Sequence, residues 1–326
     1  MTEMKAIVYN EYGCSDVLRY ADVDTPSIGP DGVLVRVRAS SINFADHIVM
    51  LHGFPKVARL ATGIRRPRVN ILGRDIAGTV AAVGARVTGL AVGDRVLGEV
   101  NQRGFAEYAA TRATHLGRIP DGTTFEQAAT LPIAGTTALQ ALRLGGTGPD
   151  STVLVNGASG GVGTFTVQLA KALGAHVTGV CSTRNADLIR SIGADEVVDY
   201  TRDDVTKRAA RFDVIVDLAG GYPVGALRRL LTPDGVFVAS SGTGGRVLGS
   251  LPRLAAIAAT APFYRRRKVR VAVTKRSVAD LERLAGMVAD GTLTPVIERT
   301  YPLSETADAI RHLEANHAQG KIVLMI

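Results

Sequence analysis

A glycine-rich turn carries the clearest chemical signal in the 326-residue chain. It follows the strand-like run Thr152–Asn156, precedes a helical run, and contains Gly157, Gly160, Gly161 and Gly163. Glycine lets a backbone turn tightly and approach a ligand closely, so that amide groups at a helix N-terminus can bind a pyrophosphate. The turn has Ser159 where the G-x-G-x-x-G motif has its second glycine. Its position between a strand and a helix still predicts dinucleotide binding, with a tight packing turn as the alternative.

Ser159 also lies in a G-x-S-x-G sequence, the pattern of the nucleophile elbow in α/β-hydrolases. Asp217, followed by His312 or His317, comes in the chain order that such a serine esterase needs. This is an alternative function from another reaction class. The β-prone region before the turn, which a hydrolase does not need, favours the dinucleotide interpretation, and so does Gly163, which an elbow does not explain.

The end of the second predicted strand indicates which dinucleotide binds. Sites that prefer NAD have an acidic residue about 20 positions after the glycine turn, where it binds the ribose 2′-hydroxyl. Here the strand ends in residues 180–185 (VCSTRN), which contain no Asp or Glu. Ser182 can donate a hydrogen bond and Arg184 can pair with a 2′-phosphate. The sequence therefore predicts NADPH as the cofactor, with an ordinary surface arginine as the alternative.

The chain offers few side chains for a metal ion. Its two cysteines, Cys14 and Cys181, cannot form the four-thiolate set of a structural zinc site. His47 and His52 are five positions apart, a spacing that on an α-helix does not bring both imidazoles to one face. We therefore predict no zinc. Two cysteines so far apart give no disulfide framework, which is typical of a cytoplasmic protein.

Composition and charge exclude several classes of protein. The net charge is +8 and hydrophobic residues make up 46% of the chain, which indicates a folded globular protein. The basic clusters come with no nucleic-acid motif, so we expect no nucleic-acid partner. The apolar run Val247–Tyr264 includes Arg253 and predicts a packed helix, with contact to a membrane surface or a lipophilic substrate as the alternative. We expect no stable membrane association and no secretory signal.

Two regions of different character predict two domains. The first, up to about residue 120, has short β-prone runs between glycines and prolines and predicts a small barrel-like domain. From Thr152 onwards strands alternate with helices, which predicts an α/β domain with a doubly wound parallel sheet. The strand-like run Lys321–Ile326 is expected to rejoin the first domain. The predicted bounds are 1–121, 122–275 and 276–326.

Longer motifs resemble the zinc-lacking, quinone oxidoreductase-like branch of the medium-chain dehydrogenase/reductases over essentially the whole chain. Beside the glycine turn, they are residues 37–46 (VRASSINFAD), 72–78 (LGRDIAG), 92–96 (VGDRV), 104–108 (GFAEY), 134–139 (AGTTAL) and 320–323 (GKIV). Zinc-containing relatives have Gly-His-Glu where this chain has Gly73-Arg74-Asp75. The resemblance therefore also implies the absence of zinc.

The resemblance implies a GroES-like catalytic domain and a Rossmann domain, with the active site in the cleft between them. It also implies a homodimer in which the edge strand Val269–Thr274 pairs with the same strand of a second subunit. Beyond Gly157, Ser159 and Gly163 of the turn, the implied cofactor residues are Asn43 and Thr137 at the nicotinamide, Gly160, Gly161 and Val162 at the pyrophosphate, Ser182, Arg184 and Tyr200 around the 2′-phosphate and adenine ribose, and Ala219, Ser240 and Lys321 along the rest.

The predicted activity is hydride transfer from NADPH to a small-molecule quinone or α,β-unsaturated carbonyl. Without zinc there is no Lewis acid to stabilise an alkoxide, which favours these acceptors over simple alcohols. We expect Asn43 to act as a positioning donor and Asp46 to orient the backbone beside it, with water as the source of the proton. His47 is a second candidate for the proton donor, although it is expected to point at the surface. A non-catalytic NADPH-binding protein is a further alternative.

Overall fold

The computed structural model describes residues 3–240, 251–260, 266, 268–316 and 319–326. The chain forms two compact units: unit 1 is Met1–Thr136 with Lys275–Ile326, and unit 2 is Thr137–Thr274. Residues 122–136, which the sequence assigned to the second domain, therefore belong to unit 1 by their contacts.

The bounds of the regular elements are as follows. The strands are β1 (Glu3–Val8), β2 (Arg19–Asp24), β3 (Gly32–Ser41), β4 (Asp75–Val83), β5 (Arg95–Glu99), β6 (Tyr108–Arg112), β7 (Leu116–Arg118), β8 (Thr152–Asn156), β9 (His176–Cys181), β10 (Glu196–Asp199), β11 (Phe212–Asp217), β12 (Leu231–Ala239), β13 (Lys268–Val271), β14 (Ile297–Pro302) and β15 (Lys321–Met325). The α-helices are α1 (Arg59–Thr62), α2 (Phe125–Ala129), α3 (Thr136–Gly145), α4 (Gly161–Ala172), α5 (Ala186–Ser191), α6 (Val224–Arg229), α7 (Leu251–Thr260), α8 (Val278–Ala289) and α9 (Thr306–Asn316).

Unit 2 is built around a six-stranded parallel sheet with the order β10-β9-β8-β11-β12-β13. Numbered within the unit, this is 3-2-1-4-5-6, the order of a dinucleotide-binding Rossmann fold. Strand β8 buries Val153, Leu154 and Val155 without alternation, as a strand covered on both faces does. The predicted doubly wound parallel sheet is therefore confirmed.

Unit 1 contains a seven-stranded sheet with the order β14-β15-β3-β4-β5-β7, and β6 pairs with β3. Along β3, Val33, Val35 and Val37 are buried, which is the period of two expected of a strand with one face in the core. Strand β15 pairs antiparallel with β3 through Val323 opposite Ser41. The C-terminal strand therefore rejoins the first unit, as predicted.

Two segments of unit 1 are π-helical. The first is the turn Leu131–Gly135, which joins α2 to α3. Pro132 in that turn has no backbone N–H, so it cannot donate to an α-helical ladder. A second π-helical turn covers Ala45–Leu51.

Of the apolar run Val247–Tyr264, the described part is helical, as α7. Arg253 of α7 lies 2.5 Å from the buried carboxylate of Asp217 in unit 2, which ties the helix to the end of β11. Residues 247–250 and 261–264 lie outside the described residues. No helix in the described part of the chain is long and apolar enough to cross a membrane.

Two glycines in helices make a matched test of packing. A Cβ on Gly163 would lie 2.1 Å from the carbonyl oxygen of Gly157, whereas a Cβ on Gly286 in α8 would meet nothing within 4 Å. We expect Gly163→Ala to destabilise the protein by about 1–3 kcal/mol, because the turn must move. Gly286→Ala should be neutral or stabilising by up to about 1 kcal/mol. Urea unfolding followed by circular dichroism checks both, and equal midpoints for the two variants would contradict the packing argument.

Candidate functional site

The glycine turn of unit 2 places backbone groups rather than side chains at the N-terminus of α4. Gly157 has φ +88°, and a Cβ on it would lie 3.2 Å from the Cβ of Ala219. Gly160 is the N-cap of α4, and a Cβ there would meet only the carbonyl oxygen of Gly157, at 3.7 Å. The first backbone N–H groups of α4, at Gly161 and Val162, have no partner within the helix. This cradle of free amides suits an anion such as a pyrophosphate.

The other predicted cofactor residues of unit 2 follow the carboxyl ends of its strands. Tyr200 follows β10 and donates its backbone N–H to Cys181 at the end of β9 (3.0 Å), and Ser240 follows β12 and donates to Asp217 at the end of β11 (3.1 Å). The carboxyl ends of parallel strands share one edge of a sheet, where dinucleotides bind. Thr137 lies on α3, and its hydroxyl is 2.8 Å from that of Thr274.

Ser182 follows β9 and is the N-cap residue of a short 3-10 turn, Thr183–Asn185, which carries the exposed Arg184. An acid lies beside this turn, although the end of β9 itself carries no Asp or Glu. Asp199, at the end of β10, accepts hydrogen bonds from the Thr183 hydroxyl and from Thr201. These bonds hold the pKa of Asp199 below its usual range. In the sequence, Asp199 stands before Tyr200 at the end of the third strand of the parallel sheet, whereas NAD sites have their acid at the end of the second strand.

The geometry around Ser159 does not support the esterase alternative. Ser159 is absent from the described residues with positive φ, whereas a nucleophile elbow is a strained turn. The Asp217 carboxylate accepts hydrogen bonds from Asn156, Gly220 and Arg253 rather than from a histidine. His312 pairs with Glu298 in unit 1 (3.0 Å). His317 lies outside the described residues.

In unit 1, Asn43 is held on both sides of its amide. Its Nδ2 donates to Oδ2 of Asp75 (2.9 Å), and its Oδ1 accepts from Nζ of Lys321 (2.7 Å). The hydroxyl of Ser41 donates to the same Asp75 oxygen at 2.9 Å. Lys321 also donates to the backbone carbonyl of Ile42 and is only 4% exposed. The predicted cofactor residue Lys321 therefore has its ammonium group inside unit 1.

Asp75 and Lys321 form a buried pair, with 3.8 Å between the carboxylate oxygen and the ammonium nitrogen. Burial raises the pKa of Asp75, and Lys321 opposes this rise. Burial also lowers the pKa of Lys321, and Asp75 is the main opposing influence. Sequence reasoning missed Asp75 as a member of the site, although it stands in the Gly73-Arg74-Asp75 motif that was compared with Gly-His-Glu.

Asp46 is fully buried and accepts the backbone N–H of Asn43 through Oδ2 at 3.1 Å. Its other oxygen, Oδ1, is buried without a hydrogen-bond partner. Burial, together with the nearby charge of Asp75, raises the pKa of Asp46 to about 7. The carboxyl group therefore holds the backbone N–H of Asn43.

The structure contradicts two expectations about the histidines. His47 is buried rather than directed at the surface, and its Nε2 lies 2.9 Å from Oε1 of Glu314. His52 lies at the same distance from the same oxygen, so the two imidazoles do face each other. An α-helix would keep the two rings on different faces, whereas Ala45–Leu51 is π-helical and His52 donates its backbone N–H to the carbonyl of His47, five residues back.

Comparisons with known proteins agree with this geometry. Residues 29–139 match the family model described as the alcohol dehydrogenase GroES-like domain, and residues 192–324 match that described as zinc-binding dehydrogenase. The chain is 33% identical to the mouse (Mus musculus) protein NAD(P)H oxidoreductase RTN4IP1, mitochondrial, over 100% of this chain and 90% of that protein. It is 32% identical to 2-methylene-furan-3-one reductase of Solanum lycopersicum, over 99% of this chain and 79% of that protein.

A solved structure, the quinone oxidoreductase from Coxiella burnetii, has a TM-score of 0.87 to this chain at 28% identity, with 100% of both chains covered. The similarity thus spans both units and includes relatives above 30% identity. The chain belongs to the medium-chain dehydrogenase/reductase family, in its quinone oxidoreductase-like branch, and is an oxidoreductase.

Proposed function

We propose that the protein reduces a quinone or an α,β-unsaturated carbonyl with NADPH, and that no metal ion takes part in this reaction. The observation that carries the proposal is the glycine turn that follows β8, the first strand of the 3-2-1-4-5-6 sheet. A Cβ at Gly163 would collide with the carbonyl oxygen of Gly157 in this turn. The acceptor class is supported by the names of the similar proteins, a quinone oxidoreductase and a furanone reductase.

The preference for NADPH over NADH rests on the end of β9. Ser182 and Arg184 stand where NAD sites have an acid, and a guanidinium pairs with a 2′-phosphate by charge-assisted hydrogen bonds. The carboxylate of Asp199 nearby accepts three hydrogen bonds from Thr183 and Thr201. Its oxygens are therefore already partnered by protein groups and less available to a ribose hydroxyl.

Zinc independence is supported by the polar cluster of unit 1. Arg74 stands where zinc-containing relatives have histidine, and it forms a salt bridge with Glu99. Asp75 has the buried ammonium group of Lys321 as its cation and accepts hydrogen bonds from Asn43 and Ser41. A metal ion would have to displace these partners, so we propose that Lys321 supplies the positive charge of this cluster.

The residues of unit 1 then act by positioning. Bound NADPH supplies the hydride, and water supplies the proton. Asp46 fixes the Asn43 backbone, while Lys321 and Asp75 fix its amide from opposite ends. Nδ2 of Asn43 makes only a long contact of 3.4 Å to the Ser41 carbonyl with its second hydrogen, which leaves that hydrogen available to a reacting group.

A cytoplasmic location also stays a proposal. It is supported by the two free cysteines, Cys14 and Cys181, which are typical of a reducing compartment. The mouse relative is named as mitochondrial, so the family is not confined to one compartment.

Titration with NADPH and NADH tests the cofactor preference. The chain has no Trp, so the fluorescence of the nicotinamide itself is the signal to follow. We expect Arg184→Ala to weaken NADPH binding by about 10- to 100-fold, the loss of one charge-assisted contact, and to leave NADH binding unchanged. Arg190→Ala is the matched control, because Arg190 pairs with Asp187 on α5. Equal losses for both nucleotides would contradict a 2′-phosphate contact.

Turnover with a panel of quinones and enones tests the reaction. We expect the wild-type protein to oxidise NADPH in the presence of an acceptor, and Asn43→Ala to lower kcat by about 10- to 100-fold with NADPH affinity nearly unchanged. The exposed Asn10 offers a control, Asn10→Ala, that should keep full activity. NADPH binding without oxidation by any acceptor would favour the non-catalytic alternative, and unchanged kcat in Asn43→Ala would remove Asn43 from the mechanism.

The homodimer is proposed to form at β13, the last strand of the six-stranded sheet. Ala272 donates its backbone N–H to Ala239 of β12, so by alternation the N–H of Val271 points away from β12. Val271→Pro removes only that outward donor and should convert a dimer to a monomer with the sheet retained. Light scattering with circular dichroism checks this. A wild-type monomer, or a variant that stays dimeric, would contradict pairing at this edge.

A further inference from the structure

A second polar cluster lies in unit 1, apart from the side chains that hold Asn43. His47 lies on the π-helical turn, His52 follows it, and Glu314 lies on α9. The Nε2 atoms of both histidines are 2.9 Å from the same oxygen, Oε1 of Glu314. One potential ligand atom of each residue lies within 4.8 Å of the other two. In the part of the chain that the structure describes, no other three His, Cys, Asp or Glu side chains converge in this way.

We propose that His47, His52 and Glu314 bind a divalent transition-metal ion, and that Zn²⁺ is the ion they suit. Two imidazoles and one carboxylate are a donor set of three-ligand zinc sites, which keep a fourth position for water. The proposal goes beyond the reductase function and does not depend on it, since these three side chains are not among those that hold Asn43.

The distances are close to those that an ion needs. Ligand atoms about 2.1 Å from a tetrahedral zinc ion lie about 3.4 Å from each other. The two observed nitrogen–oxygen distances of 2.9 Å are shorter than this by about half an ångström, and all three ligand atoms lie within 4.8 Å of one another. The Glu314 carboxylate can move away from the two histidines and so lengthen these distances, because its side chain is 31% exposed and has rotatable bonds.

The burial of the cluster suits entry and retention of an ion. The side chain of His47 is 10% exposed and that of His52 is 22% exposed. Phe54 stacks beside the His52 ring, with 6.2 Å between ring centroids, and so covers one side of it. His47 is therefore held by the protein interior, while His52 and Glu314 face water. The solvent can then supply both the ion and its fourth ligand.

The proton balance needs no further reactant. Without the ion, both imidazoles can donate their Nε2 hydrogens to the carboxylate. On binding, each neutral imidazole carries its hydrogen on Nδ1 instead, so that the Nε2 lone pair faces the ion. The ion then joins the π-helical turn to α9, two segments far apart in the sequence, and stabilises the folded protein by mass action.

The experiment is equilibrium dialysis of the metal-free full chain against Zn²⁺, with Co²⁺ as a probe whose visible absorption reports tetrahedral coordination. We expect one ion per chain, and an increase in the unfolding temperature on saturation. Glu314→Gln keeps an oxygen that accepts from both histidines but removes the charge, and His52→Ala removes a ligand. Each should weaken binding by at least about 100-fold.

Two control variants test whether other potential metal ligands on the surface bind the ion. His176 lies 3.6 Å from Asp195 and 3.9 Å from Glu196 on the surface of unit 2, and Cys14 is an exposed thiol. His176→Ala and Cys14→Ser should bind Zn²⁺ as the wild-type protein does. Two results would overturn the proposal: no saturable binding up to about 100 μM Zn²⁺, or binding that survives both Glu314→Gln and His52→Ala.

Discussion

The burial of the Asp75 carboxylate is the constraint on which the arrangement of unit 1 depends. A charge with no exposure to water needs an opposite charge and hydrogen-bond donors, and removing one partner of a buried pair costs about 3–5 kcal/mol. The partners are the Ser41 hydroxyl, the Asn43 amide, the backbone N–H of Ile133 and the ammonium group of Lys321. They come from segments far apart in the chain, so the C-terminal strand has an electrostatic reason to return to the first unit.

Both π-helical turns of unit 1 serve this cluster. The turn at Leu131–Gly135 directs the N–H of Ile133 to Asp75, and the turn at Ala45–Leu51 begins beside Asn43, whose N–H is held by Asp46. π-Helical turns are often found at functional sites, because the extra residue per turn changes which side chains share a face. The convergence of His47 and His52 follows from that change. In both turns the backbone therefore departs from the α-helical hydrogen-bond pattern next to the buried polar groups.

The sequence predicted local elements and the return of the C-terminal strand well, and the side-chain contacts of the buried cluster poorly. The bounds of the strand Thr152–Asn156 agree with the structure, because a buried aliphatic run is a local signal. Resemblance supplied the proposed cofactor residues of unit 2, several of which follow strand ends. The contact of Asp75 with Lys321 joins opposite ends of the chain, and no local pattern indicates it. The histidine pair was missed because propensity rules assume an α-helical period.

The departure of the glycine turn from the usual motif has a physical explanation. Two glycines are required by the chain itself: Gly157 by its φ of +88°, and Gly163 by the 2.1 Å that would separate its Cβ from a carbonyl oxygen. Ser159 has no positive φ and replaces a motif glycine without strain. Gly160 is different, because its Cβ would make only an ordinary contact at 3.7 Å. Neither packing nor backbone conformation requires glycine at Gly160, which is the N-cap of α4, and the absence of a side chain there leaves the N-terminus of the helix open to a ligand.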